Sequence, residues 1–231
     1  VKPHILILLG DASLHAFMNG NLEPRRSCYR YVWPCALDKW RGSLFLGAST
    51  SPAPGVKCIA TYHPEDATRR YHLTAFMRRD LAVAVAAGRR PELVERDLQI
   101  DILTPEVGLA YTLDYIHRCR THRLAIDIEG GAGGITSISI AWSENAALVI
   151  PFETQNGLDV WTETEEIQIW LALKQLLEDP GVQIIWHNAL YDAFVLAWTY
   201  GIIPAITDDT MVKYWELYCE LPKSLASAAS V

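Results

Sequence analysis

Three apolar runs rich in β-branched residues, RLAIDIEG (123–130), ITSISIAW (135–142) and AALVIPF (146–152), follow one another with only short Gly- or Asn-containing turns between them. Such spacing predicts an antiparallel meander. EEIQIWLALKQLLED follows, with Ile167, Trp170, Leu171, Leu173, Leu176 and Leu177 at helical spacing. VQIIWHN then reads as a further strand, ALYDAFVLAWTYG as a helix stopped by Gly201, and DTMVKYWELYCE as a last helix capped by Asp209. Strand–strand–strand–helix–strand–helix is an α/β order that favours a central sheet with helices packed on it.

The amino-terminal part is less regular. PHILILLG reads as a buried strand, ASLHAFMNG as a short helix, VKCIATYHP as a second strand and TAFMRRDLAVAVAAG as a helix that Gly88 ends. Residues 20–57 read as irregular, with Pro24, Pro34, Pro52 and Pro54. RRPELVERDLQIDILTPEV is charged and proline-punctuated, and is the best boundary. It divides the chain into residues 1–92, a linker with a lead-in helix over 93–120 (Thr104 as N-cap, Pro105 in its first turn), and 121–231.

Charge divides with it. Residues 1–120 carry 16 Lys+Arg against 12 Asp+Glu, or +4; residues 121–231 carry 4 against 15, or −11. Opposite signs suggest two units with different jobs. The acidic one is a poor nucleic-acid binder unless cations neutralise part of it. The arginine pairs at 25–26, 69–70, 78–79 and 89–90 read either as a basic stripe or as solvated surface. The five cysteines (28, 35, 58, 119, 219) form no CxxC pair, which fits small buried thiols in a reducing cytoplasm. No apolar run reaches the ~18 residues of a membrane span, and no basic segment followed by an apolar one opens the chain as a signal peptide does.

Asp127 and Glu129 are two apart on one strand, so both leave the same face of it. On a central strand they would repel one another and lose hydration, a conflict that a divalent cation relieves; Mg2+ and Mn2+ prefer such hard oxygen ligands. The other reading ends the strand at Ile126 and leaves both acids facing water. Asp192, in the first turn of the helix after VQIIWHN, is placed to reach the same end of the sheet. Asn188, one turn earlier, either caps that helix or orients a metal ligand or nucleotide.

RLAIDIEG, then IIWHNALYDAFVLAWTYGI, then DDTM resemble the DEDD (DnaQ-like) exonucleases, and within them the proofreading domain of family A DNA polymerases, over about residues 105–231. The D-x-E motif falls on Asp127 and Glu129, and N-x-x-x-D on Asn188 and Asp192. The resemblance implies a ribonuclease H-like fold, two Mg2+ or Mn2+ ions held by Asp127, Glu129 and Asp192, and release of nucleoside 5′-monophosphates from 3′ ends. The family's third motif, Y-x-x-x-D or H-x-x-x-D, has no counterpart, since no Asp follows Asp209. The segment as it stands is therefore expected to be weak in metal binding and turnover. Asp208 and Asp209 are the substitutes at hand, although the family pattern makes Asp209 a helix cap.

Residues 4–88, through HILILLGDASLHAFMNG, WRGSLF and T-Y-H-P at 61–64, resemble the carboxy-terminal part of the uracil-DNA glycosylase superfamily. That likeness implies that His63 donates to the uracil oxygen and that Arg69 and Arg70 contact DNA phosphate. The motif with the water-activating acid is missing, so DNA contact or scaffolding is expected rather than glycosylase activity. The leading expectation for the whole is the amino-terminal piece of a phage- or bacterial-type DNA polymerase acting on single-stranded 3′ ends or primer termini. The alternatives are a ribonuclease D-like RNA exonuclease and a non-catalytic nucleic-acid-binding scaffold.

Overall fold

The computed structural model describes residues 3–19, 25–27, 30–32, 37–94, 97–121, 123–131 and 134–229. Two units are distinguished, Val1–Glu95 with Glu220–Val231, and Arg96–Cys219. Counted over these units, Lys+Arg against Asp+Glu is 14 to 9 in the first (+5) and 6 to 18 in the second (−12).

The first unit runs β1 (Leu6–Leu9), α1 (Gly10–Asn19), β2 (Arg25–Ser27), β3 (Arg30–Val32), α2 (Leu37–Trp40), β4 (Leu44–Leu46), β5 (Lys57–Thr61), α3 (Pro64–Arg69) and α4 (Leu73–Ala87). A three-stranded sheet is ordered β1-β5-β4, with β5 parallel to β1 and antiparallel to β4. Within 20–57, read as irregular, the described residues hold short strands and a one-turn helix. Their strands are only three residues long and are fixed by pairing, too short for periodicity to reveal.

All five residues of β5 are buried, Lys57 included. A buried ammonium needs acceptors, and Lys57 Nζ donates to the carbonyls of Ala87, Arg90 and Glu92 at 2.8, 2.6 and 2.8 Å. These include the carbonyl of α4's last residue, so the lysine acts as a cap at the negative end of the helix. Arg41 and Asp80 form a buried ion pair at 2.9 Å, with Thr61 Oγ1 donating to Asp80 at 2.6 Å and Phe76 under the guanidinium.

The second unit runs β6 (Gln99–Ile102), a 3-10 turn (Pro105–Val107), α5 (Leu109–Arg118), β7 (Arg123–Gly131), β8 (Gly134–Ala141), β9 (Ala146–Pro151), α6 (Glu163–Leu177), β10 (Gln183–Trp186), α7 (Ala189–Tyr200), β11 (Asp208–Asp209) and α8 (Thr210–Leu217); α9 (Leu225–Ala228) belongs to the first unit. Its six-stranded sheet has the order β11-β10-β7-β8-β9-β6. The meander β7-β8-β9 is antiparallel, while β10, β11 and β6 join in parallel. The mixed sheet flanked by helices is the α/β arrangement expected.

On β7, Leu124, Ile126 and Ile128 are buried and alternate with exposed Ala125, Asp127 and Glu129. The buried set meets Ile138, Ile140, Leu148 and Ile150 in one core with α6. Truncating any of these to Ala costs about 2–5 kcal/mol.

Three local expectations change. Gln99–Ile102, read as part of a linker, is an edge strand; all four residues are exposed, so no alternation marks it. The lead-in helix does not run through from Thr104, because Gly108 at φ +89° separates the 3-10 turn from α5. On α6 the buried stripe is Ile169, Trp170, Leu173, Leu176 and Leu177; Ile167 and Leu171 point outward. The capping box of Thr162 and Glu165 sets where that helix starts. Cys58 and Cys119 are buried thiols and Cys219 is exposed; Cys28 and Cys35 lie outside the described residues.

Candidate active site

β7 carries Asp127 and Glu129 on its exposed face, opposite Ser139 and Ser137 of β8. These small neighbours leave the acids uncrowded. Just after Glu129 the β7–β8 register shifts, and Gly130 takes φ +142°. A Cβ there would meet the Gly134 carbonyl at 2.3 Å, so only glycine closes this bulge. The bulge ends regular pairing beside Glu129, a common device for aiming a side chain.

β10 pairs with β7 only as far as Ile185 opposite Ala125. Beyond that point the β7 edge is open, and α7 turns back against it. Ala189, Asp192, Val195 and Leu196 form the buried face of α7. Asp192 is 4% exposed and stands near its own backbone N–H and that of Ile128, which lies between Asp127 and Glu129. Burial pushes the Asp192 pKa up to about 6, Asp127's charge adds to the rise, and the nearby N–H groups only partly oppose it. Asp192 is thus at the Asp127–Glu129 edge, as the spacing predicts. The dehydration expected of the strand pair is found instead on Asp192, because the acid face of β7 opens to solvent while Asp192 lies under its own helix.

Asn188 begins α7 at φ 69° and ψ 50°, the only positive-φ residue other than glycine among the described residues. Its side chain makes no capping bond. Asp209 caps instead, accepting the N–H groups of Asn188 and Ala189 at 3.1 and 2.9 Å and those of Met211 and Val212 at 2.8 and 3.4 Å. One carboxylate therefore closes the amino termini of both α7 and α8. Burial opposes its ionisation, but these backbone bonds outweigh burial and hold its pKa below the ordinary aspartate value.

Asp208 is paired with Arg123, at 3.2 Å, and with Lys213. Neither Asp208 nor Asp209 is therefore a spare ligand. The double cap was not legible, because it depends on Trp186 standing beside Asp209 across the β10–β11 pair.

Among the described residues, no three His, Cys, Asp or Glu side chains form a ready-made cation cage. The acid edge is an open arrangement, with Asp192 recessed and Asp127 and Glu129 exposed. All its donors are carboxylate oxygens, the chemistry that hard divalent cations select.

His63, Arg69 and Arg70 belong to the first unit, and Asp127, Glu129 and Asp192 to the second. His63 is exposed and caps α3, its Nδ1 accepting the Glu65 N–H at 3.3 Å. Arg69 pairs with Glu65 at 2.5 Å on the surface, and Arg70 is exposed.

Sheet and helices define a ribonuclease H-like exonuclease fold. Residues 102–229 match the family model described as 3′-5′ exonuclease, and the chain belongs to that family. The match begins at Ile102, beyond residues 4–88, and gives no support to their expected likeness to uracil-DNA glycosylases.

Similar solved structures include Escherichia coli RNase D, an exoribonuclease involved in structured RNA processing (21% identity, 56% of this chain and 31% of that one, TM-score 0.37). They also include Brucella melitensis NrnC with bound Mg2+ (20%, 55% and 56%, TM-score 0.35) and the EXD2 exonuclease domain soaked in Mn and GMP (13%, 53% and 62%, TM-score 0.37). The chain spans less than two thirds of the length of each of these. No curated protein matches it. No helix among the described residues is long and apolar enough to cross a membrane.

Proposed function

We propose that this chain shortens single-stranded nucleic acid from the 3′ end, with Asp127, Glu129 and Asp192 holding two Mg2+ or Mn2+ ions. Its substrate on this reading is the DNA 3′ end met by a proofreading polymerase of the family A type, of which the chain is a part. The observation that carries the proposal is the buried Asp192 on the face of α7 that packs against β7, the strand of Asp127 and Glu129. Two like charges at one partly dry edge call for a proton or a cation between them.

Asp127 would hold both ions, Glu129 would hold one and orient the attacking water, and Asp192 would bind directly or through water. Bound there, the ions supply water activation and stabilisation of the leaving 3′ oxygen. Asn188, exposed and relieved of capping, offers its amide to the terminal nucleotide. The likeness of residues 105–231 as a whole to family A proofreading domains favours DNA. The carboxylates do not choose, since an RNA end would engage the same ones in the ribonuclease D-like alternative.

The test is calorimetric titration with Mn2+, followed by digestion of 3′-labelled single-stranded DNA and RNA with Mg2+. Wild type should take up metal and shorten DNA stepwise, both weakly, as expected without the family's third motif. Asp127→Ala should lose metal uptake and at least ~10³-fold in rate. Equal behaviour of the two proteins would support a non-catalytic scaffold. Faster digestion of RNA would move the substrate to the ribonuclease D-like reading.

A further inference from the structure

The first unit contains a cleft of about 620 Å3 between α4 and the segment after it. Ala82, Val83, Ala86 and Val94 form apolar walls, and Arg79, Arg89 and Arg90 line it. None of these arginines has an acidic partner among the described residues. Lys57 also lines the cleft, but its three donors are committed to carbonyls. Glu92 supplies the one carboxylate there, so three uncommitted guanidiniums face a single acid.

We propose that this cleft binds the sugar-phosphate backbone of a single-stranded nucleic acid. Arg79 stands eight residues before Ala87, the last residue of α4, which is roughly 12 Å along the helix axis. Arg89 and Arg90 lie beyond that end. One free phosphate cannot meet both ends of such a row, whereas successive phosphates of one strand can. The apolar walls give unstacked bases a van der Waals surface, in place of the aromatic platforms that dedicated single-strand binders carry.

The unit's +5 charge favours a polyanion where the −12 unit repels one. The inference rests on the exonuclease reading only for the choice of polymer, since binding is measured without catalysis.

The experiment is fluorescence anisotropy of a labelled single-stranded DNA, with an RNA arm, in EDTA between ~50 and ~200 mM NaCl. It compares the full chain with an Arg79→Glu/Arg89→Glu/Arg90→Glu variant. The corresponding triple Gln variant serves if the Glu protein fails to melt cooperatively. Arg118→Glu in the other unit is the charge control.

Loss of three phosphate contacts should weaken binding at least ~10-fold at low salt and flatten the log–log salt slope by about 2, while the control stays near wild type. Unchanged affinity and slope, no binding by wild type at low salt, or equal competition by inorganic phosphate would each overturn the proposal. The nuclease reading is judged by metal uptake and digestion and the cleft by anisotropy in EDTA, so their failures show up in different measurements.

Discussion

Each unit buries an aspartate, and the two are treated in opposite ways. Asp80 in the first unit is 1% exposed and meets Arg41 at 2.9 Å and Thr61 at 2.6 Å. Asp192 in the second is 4% exposed, has no cationic partner among the described contacts, and lies near the charge of Asp127. Asp80 is answered inside the fold, as a structural charge is. Asp192 is left with an unfavourable charge, the condition that the proposed cation would relieve. The comparison also explains why the more basic unit is no better a candidate for catalysis: its buried charges are already paired.

Breaking the satisfied pair should give the largest effect on stability. Asp80→Ala strands Arg41 in the interior, at about 3–5 kcal/mol, so the first unit should lose its cooperative melt by circular dichroism. A loss below ~1 kcal/mol would show that Asp80 is solvated in solution and would remove the contrast.

Asp209 stands between the two extremes, a partly buried carboxylate answered entirely by backbone N–H groups. Asp209→Ala uncaps two helices and should cost about 2–3 kcal/mol, with Mn2+ uptake weakened because the first turn of α7 carries Asp192. Its depressed pKa makes its contribution full above the unfolded value near ~3.9 and lost as pH falls below it. A stability equal to wild type at neutral pH would mean that the cap is redundant.

These carboxylates also show which placements a sequence reveals. That Asp127 and Glu129 share a strand face and Asp192 the first turn of a helix was legible because those periods fix directions locally; their role is the proposal above. The meander was legible for the same reason. The hydration of the acids was misplaced, since which of them sits under a helix is decided by where β10 stops pairing with β7. Asp209's second helix and the exposed edge strand Gln99–Ile102 depend on partners distant in the chain. Ile169 rather than Ile167 faces the core because the phase of α6 is set by the packed sheet, and both choices keep apolar residues at helical spacing.

The smallest expected change is also the one of opposite sign. Asp192 takes its proton near pH 6 in the fold and near ~3.9 in the unfolded chain. Between those values the folded protein holds more protons, so Asp192's contribution to stability is full below about pH 4 and is lost as pH rises through 6. Asp192→Asn keeps the shape and removes the charge. In EDTA at pH 7 it should stabilise the second unit by about 1–2 kcal/mol, with the gain vanishing at pH 4. The same variant should lose Mn2+ uptake, so a group that weakens the empty fold is the one that binding requires. If Asp192→Asn destabilises the protein at pH 7 and leaves metal uptake intact, Asp192 is a structural residue like Asp80, and the distinction between the two units fails.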